Sequence, residues 1–311
     1  MILGFIKPDF PNERRVAILP NDMDDIKNEI LIERGFGSLL EIKDEDYIKK
    51  GAKILERDEV FYQSEALFSL KLIQPSDYDL IKANQIIIGW VHPNGSGSEF
   101  MLKQAIPKNL IIVDLDNISP KVYYKFKTYD FYNIPKNFIR KNSWISGFAS
   151  VNHALQSIGL IPNTNTKVAI LGSGNVSQGS FNAIAQFNTD TQLFYRKTMD
   201  QFLKRLNEFD IIINGIEIDR KNHILSNRDL KKIKQGCLII DAAADEGGTF
   251  EFSRFTSIDK PLEYMDGIFL YCVNNAPSLY YRTSSQEISK AFSKYVYNLD
   301  SNSINSVLTD K

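Results

Sequence analysis

Short apolar runs alternate with polar, helix-compatible stretches along most of the chain. In the first half LGFI (3–6), EILIE (29–33), ALFSLKLI (66–73), QIIIGWV (85–91) and NLIIVDL (109–115) predict strands. Several are apolar on consecutive positions, as strands buried on both faces of a parallel sheet require. Between them LPNDMDDIKN (19–28) predicts a helix start capped by Asn21, and DEDYIKKGAKIL (44–55) predicts a helix. In the second half a helix over 145–159 leads into the strands KVAIL (167–171), QLFY (192–195), DIIIN (210–214), CLIID (237–241) and IFLYCV (268–273). The spacing of Ile288, Phe292, Val296 and Leu299 predicts a helix over 284–299 that packs back on the first domain. The polar tail from Asp300 predicts a frayed end. Residues 118–142 break the pattern with Pro120, Pro135 and mixed lysines and aromatics, and they predict an interdomain connector.

Strands alternating with helices imply an α/β chain. The expected architecture is two Rossmann-like domains with parallel sheets separated by a deep active-site cleft. Residues 1–135 plus 280–311 would form a substrate and catalytic domain, and 136–279 a dinucleotide-binding domain; a length of 311 residues suits two domains. With 37 Lys and Arg against 38 Asp and Glu, no overall field draws the protein onto nucleic acid or an anionic membrane. Charged ligands must be met by local groups. Cys237 and Cys272 lie in apolar runs and read as buried structural thiols, without a disulfide framework or zinc pattern. No apolar run approaches the roughly 20 residues of a membrane span and no export leader is evident, so a cytoplasmic protein is expected.

Chemistry enters where KVAIL runs into GSGNVSQG. Gly172 and Gly174 fall at a strand-to-helix turn, where bare backbone lets a pyrophosphate approach the helix N-terminus. Asn175 and Val176 would begin that helix. The third position of the glycine fingerprint is Ser177, a small residue where close helix-to-strand packing is needed. At the end of the next strand, where an acid commonly holds the ribose hydroxyls of NAD, the chain reads LFYRKT. Tyr195 replaces the acid, and Arg196, Lys197 and Thr198 follow. Two cations in an anion's place favour the 2′-phosphate of NADP. A solvated basic turn is the alternative.

A second set of candidates lies in the first half. Lys71, within an apolar run, either snorkels outward or meets an anion, because an unpaired buried ammonium is costly. His92 ends QIIIGWVH. About a dozen residues join the two runs, enough for a crossover between adjacent parallel strands, with both side chains at the carboxyl ends where ligands bind. Arg14 and Arg15 follow the first strand, and a guanidinium suits a carboxylate. Asp241, which ends CLIID, and Asp245, in the AAADEGG that follows, would face the cofactor, whereas His153 and His223 read as structural.

The stretches ERRVAILP, DYIKKGAKI, LFSLKLIQP, VHPNGSG, ILGSGNVSQG, LIIDAAADEGGTFE and YCVNNAPS resemble the alanine dehydrogenase superfamily, which includes saccharopine dehydrogenases and the NAD domain of proton-translocating transhydrogenase. The resemblance implies that Arg15 holds a substrate carboxylate, that Lys71 contacts substrate, that His92 acts as acid/base and that Asp245 lies near the nicotinamide. It also implies that Asn275 lines the nicotinamide pocket and that the chain forms a homo-oligomer. KLIQPSDY, IIGWVHPNGSGSEFM, AILGSGNVSQGSF and FYRKTMD resemble more closely the branch that reductively joins a 2-oxo acid to an amino-acid amine. That implies NADP, with pyruvate and ornithine or lysine as small-molecule substrates.

Overall fold

The computed structural model describes residues 1–116, 118–218, 222–244 and 246–309. They form two compact units, one of residues 1–139 and 281–311, the other of residues 140–280.

The first unit is built on an eight-stranded sheet. Its strands are β1 (Ile2–Phe5), β2 (Glu29–Glu33), β3 (Lys53–Leu55), β4 (Ala66–Ser69), β5 (Ile86–Gly89), β6 (Ile111–Asp114), β7 (Lys121–Tyr124) and β8 (Lys127–Asp130), in spatial order β3-β2-β1-β4-β5-β6-β7-β8. The first six strands are mutually parallel, and β7 and β8 add an antiparallel hairpin at one edge. Apolar side chains part between the faces with the period of two that a strand imposes. Ile86 and Ile88 join one core with Leu3, Phe5 and Phe68; Ile87 joins the other with Leu31, Leu67 and Ile112. Helices α1 (Asp44–Ile48), α2 (Arg57–Gln63) and α3 (Ser98–Phe100) lie in the connections.

The second unit opens with α4 (Arg140–Ile158). Its strands are β9 (Lys167–Leu171), β10 (Asp190–Phe194), β11 (Ile211–Asn214), β12 (Leu238–Asp241), β13 (Leu262–Met265) and β14 (Ile268–Tyr271), in order β10-β9-β11-β12-β14-β13, with β13 alone antiparallel. Helix α5 (Asn175–Ala185) follows β9, and α6 (Met199–Leu203) follows β10. Two buried clusters again sandwich the sheet. The chain then returns to the first unit with α7 (Tyr281–Tyr295) and α8 (Ser301–Thr309). Ile288, Phe292 and Val296 are completely buried there, and Phe292 packs against Phe68, Trp90 and Tyr297.

The α/β architecture of two units with mainly parallel sheets is as expected, each sheet adding antiparallel pairing only at one edge. Several finer expectations need correction. Residues 121–130 are the β7–β8 hairpin rather than a connector; Val122 is fully buried, and the turn uses Lys125 at φ +55° in place of a glycine. The 44–55 segment is helical only to Ile48, and after a turn at Gly51 it becomes β3. Only a 3-10 turn (Pro20–Asp22) forms where a helix capped by Asn21 was expected. Beyond Asp300 the chain forms α8, anchored by the buried Ile304. Among the described residues no helix is long and apolar enough to cross a membrane.

Candidate active site

In the first sheet chain order reverses between β1 and β4, the kind of switch point where open α/β sheets bind ligands beyond the strand carboxyl ends. The candidate residues of that unit gather there. Lys71 stands two residues past β4, its backbone carbonyl accepting a 2.6 Å bond from Ser69 Oγ. His92 stands three residues past β5, the parallel neighbour of β4. Arg15 belongs to the segment that follows β1. The strands end before Lys71 and His92, so both side chains belong to connections and not to strand interiors.

Arg15 is 3% exposed and is held by Glu13, whose Oε1 accepts from Nε at 2.7 Å and whose Oε2 accepts from Nη2 at 2.5 Å. Burial alone would raise the Glu13 carboxyl, but the charge and hydrogen bonds of Arg15, with a smaller contribution from Lys71, hold it below the usual range. Trp90 serves both cations: Arg15 Cζ lies 4.8 Å and Lys71 Nζ 5.9 Å from its ring centroid, and Phe10 covers Lys71 at 5.0 Å. Burial, followed by the nearby Arg15 charge, lowers Lys71 to about 8, against the opposing pull of Glu13 and Asp116. At that value the ammonium is poised to exchange its proton near neutrality.

His92 Nδ1 is 2.7 Å from Asp116 Oδ2. Burial disfavours the imidazolium, yet the hydrogen bond and charge of Asp116 outweigh it and raise His92 above its ordinary value. Glu13, Trp90, Asp114 and Asp116 were not singled out from sequence. The available signal for the last two was an acid near the end of the apolar run NLIIVDL, Asp114, and a second immediately after it, Asp116. Arg14 stacks on Tyr281 at 4.1 Å, and Arg282 pairs with Glu41 at 3.3 Å.

In the second unit β9 leads into Gly172 at φ +95°, a conformation that disfavours a side chain. A Cβ there would also stand 2.7 Å from Ile216 Cγ1 and 2.8 Å from Ser177 Oγ. Ser177 is 1% exposed, and its hydroxyl donates to the Leu171 carbonyl at 2.9 Å. The third fingerprint position therefore accepts serine because its hydroxyl folds back onto β9. Asn175 and Val176 begin α5, whose N-cap residue Gly174 offers no side-chain cap and opens on a space where a Cβ would meet nothing within 4 Å. Exposed N–H donors at a helix start beside open space fit a pyrophosphate.

Beyond β10 Tyr195 is exposed, its N–H donating to Thr198 Oγ1 at 2.9 Å, while the Thr198 hydroxyl reaches the Tyr195 carbonyl at 3.3 Å. Thr198 thus closes the turn that presents Arg196 and Lys197 to solvent. Asn214, unnoticed in the sequence, shapes the facing turn: its side chain bonds both the N–H and the carbonyl of Ile216, and Asp241 Oδ1 at 2.9 Å. Asp241 is fully buried and accepts from Ser253 at 2.5 Å, so it braces the sheet end instead of facing a cofactor. Asn275 is buried after β14, its carbonyl accepting the Ser278 N–H at 2.9 Å. Asp245 lies outside the described residues. His153 meets Tyr271 Oη at 3.1 Å and His223 the Gly248 carbonyl at 2.7 Å. Both cysteines are free and buried, and burial raises both thiols.

A strand, glycine turn and helix on one unit, with buried cations and a carboxylate-paired histidine at the switch point of the other, define a dinucleotide-dependent oxidoreductase. Residues 6–122 match the family model described as alanine dehydrogenase/PNT, N-terminal domain, and residues 153–311 match the C-terminal domain model. The chain belongs to the alanine dehydrogenase/PNT family, nicotinamide dinucleotide-dependent dehydrogenases. It is 55% identical to the N(5)-(carboxyethyl)ornithine synthase of Clostridium botulinum over 96% of this chain and 94% of the relative. With the enzyme of the same name from Lactococcus lactis subsp. lactis, identity is 52% over 96% of each chain. The structure of an L-alanine dehydrogenase is similar in fold, with a TM-score of 0.78 at 19% identity, covering 99% of this chain and 92% of the other.

Proposed function

We propose that this chain joins pyruvate reductively to the terminal amine of ornithine, or of lysine, at the expense of NADPH. The observation that carries the reading is the identity of 55% and 52%, over 96% of the chain, with two N(5)-(carboxyethyl)ornithine synthases. The reaction consumes one oxo acid, one ammonium-bearing amino acid, one NADPH and one proton, and it releases NADP⁺, water and a secondary amine protonated at neutral pH.

The first unit supplies the substrate residues and the second the dinucleotide site. Arg15, its guanidinium oriented by Glu13, binds the pyruvate carboxylate. Lys71 in its protonated form donates to the keto oxygen, stabilising the negative charge that develops as the amine attacks. His92, whose imidazolium the Asp116 hydrogen bond and charge favour against burial, carries protons during loss of water from the carbinolamine. Asp245, matched by the family resemblance to an aspartate near the nicotinamide, is assigned to orient the cationic amine or a water. When bound, the reduced nicotinamide supplies the hydride that converts the substrate imine to the amine. Gly172, Gly174, Asn175, Val176 and Ser177 form the pyrophosphate turn, and Asn275 lines the nicotinamide end. Tyr195 in place of an acid, followed by the exposed Arg196 and Lys197, supports NADPH over NADH.

Purified protein incubated with pyruvate, ornithine and NADPH should oxidise the cofactor and yield the secondary amine, identified by its mass. Oxidation with pyruvate and ammonia, but none with ornithine or lysine, would replace this reading with alanine dehydrogenase activity.

A further inference from the structure

Two carboxylates at the end of β6 reach different parts of one residue. Asp114 is completely buried, and its Oδ1 accepts the backbone N–H groups of Val91 and His92 at 3.0 and 3.3 Å. His92 itself stands at φ +51°, a left-handed conformation that a residue other than glycine keeps only where its surroundings enforce it. Its carbonyl accepts from the N–H groups of Gly95 and Gly97 at 2.9 and 3.0 Å, so the peptide units on both sides of the residue are tied down. Asp116 takes the ring: its Oδ2 is 2.7 Å from Nδ1. An imidazole whose Nδ1–H is given to a carboxylate keeps Nε2 as the nitrogen that gains and loses a proton.

We propose that Asp114 and Asp116 are paired positioning residues for His92, Asp114 fixing its left-handed backbone and Asp116 its ring tautomer, so that Nε2 alone exchanges protons with substrate. The inference deepens the acid/base assignment of His92 and rests on it. The charged groups facing the ring are Asp116 and Asp114, which favour the imidazolium, and Lys71, which opposes it. Asp114 is itself pushed up to about 6 by burial and by the neighbouring Asp116. The fold retains this unfavourable pair of acids where they converge on a single histidine. A carboxylate needed only for packing would have no reason to meet two consecutive N–H groups while its neighbour meets the same residue's ring.

The chain has three histidines, so the His92 ring can be followed by NMR through a pH titration of the full-length, substrate-free protein, with His92→Asn identifying its signals. Asp116→Asn is expected to lower the His92 midpoint by about one pH unit or more, since an opposite charge at hydrogen-bond distance is removed. Asp116→Glu is expected to keep the midpoint above that of Asp116→Asn. For Asp114, the Asn variant retains the acceptor oxygen and Ala does not, so hydrogen exchange at the Val91 and His92 amides should be at least about tenfold faster in Asp114→Ala than in Asp114→Asn. A His92 midpoint unmoved by Asp116→Asn, or equal exchange in the two Asp114 variants, overturns the proposal. Neither readout uses substrate. If both behave as expected and no secondary amine forms in the turnover assay, the clamp stands and the assigned reaction falls.

Discussion

Glu13 grips Arg15 along one edge of the guanidinium, at 2.7 Å to Nε and 2.5 Å to Nη2, with the two side chains no more than 2% exposed. Such a pair is costly to form but costlier to break, because the surviving partner is left as a buried charge. Glu13→Ala is therefore expected to destabilise the protein by about 3 kcal/mol or more, measured by urea unfolding, and to raise KM for the oxo acid. The pH dependence follows from the depressed Glu13 value. Below the ordinary glutamate value, about 4.3, the unfolded chain binds the proton first, so stability from this pair is complete above that pH and lost as pH falls through the folded value. The acid limb of the stability curve should be shallower in Glu13→Gln.

Lys71 titrates near 8 in the folded protein. If its ammonium donates to the keto oxygen, turnover should decline as pH rises through about 8, and Lys71→Met should remove that limb while lowering kcat roughly a hundredfold or more. Stability responds with the opposite sign. Between this value and the ordinary lysine value, about 10.4, the unfolded chain holds the extra proton, so this group makes the protein more stable as pH rises through that window. Lys71→Met should abolish the gain in pH-dependent unfolding measurements.

The exposed turn after β10 should decide between dinucleotides. Replacing Arg196 and Lys197 together by alanine is expected to weaken NADPH binding roughly tenfold or more, through loss of charge-assisted bonds to the 2′-phosphate. NADH binding should stay nearly unchanged. Fluorescence titration with the two cofactors checks this, and equal loss for both would remove the assignment.

Ser177 lies against both Gly172 and Gly215, where no spare volume exists. Ser177→Gly should be tolerated, with a small loss from the missing bond to Leu171. Ser177→Val should cost about 1–3 kcal/mol through overpacking and displace the turn, seen as a lower Tm and weaker binding of either dinucleotide.

The nucleotide unit was legible because its signals are local. KVAIL, the glycine turn and the start of α5 are contiguous, and each residue's task follows from its place in that string. Lys71 and His92 were legible as ends of apolar runs. What they touch was not, because Glu13, Trp90, Asp114 and Asp116 come from three different connections and strand ends that only sheet order brings together. The β7–β8 hairpin escaped because its turn uses Lys125 in a left-handed conformation without glycine or asparagine. Strand β3 escaped because three residues are too few to show a period. Helix α8 escaped because one buried side chain, Ile304, anchors an otherwise mostly polar segment.

The first unit is interrupted by the whole of the second, and Phe292, from the returning segment, fills the space between Phe68, Trp90 and Tyr297. During synthesis the nucleotide unit is complete in one stretch of chain, whereas the sheet bearing Arg15, Lys71 and His92 must wait with an unfilled core until α7 leaves the ribosome. The inserted unit can thus fold first and stand finished while the unit holding the proposed substrate residues is still assembling.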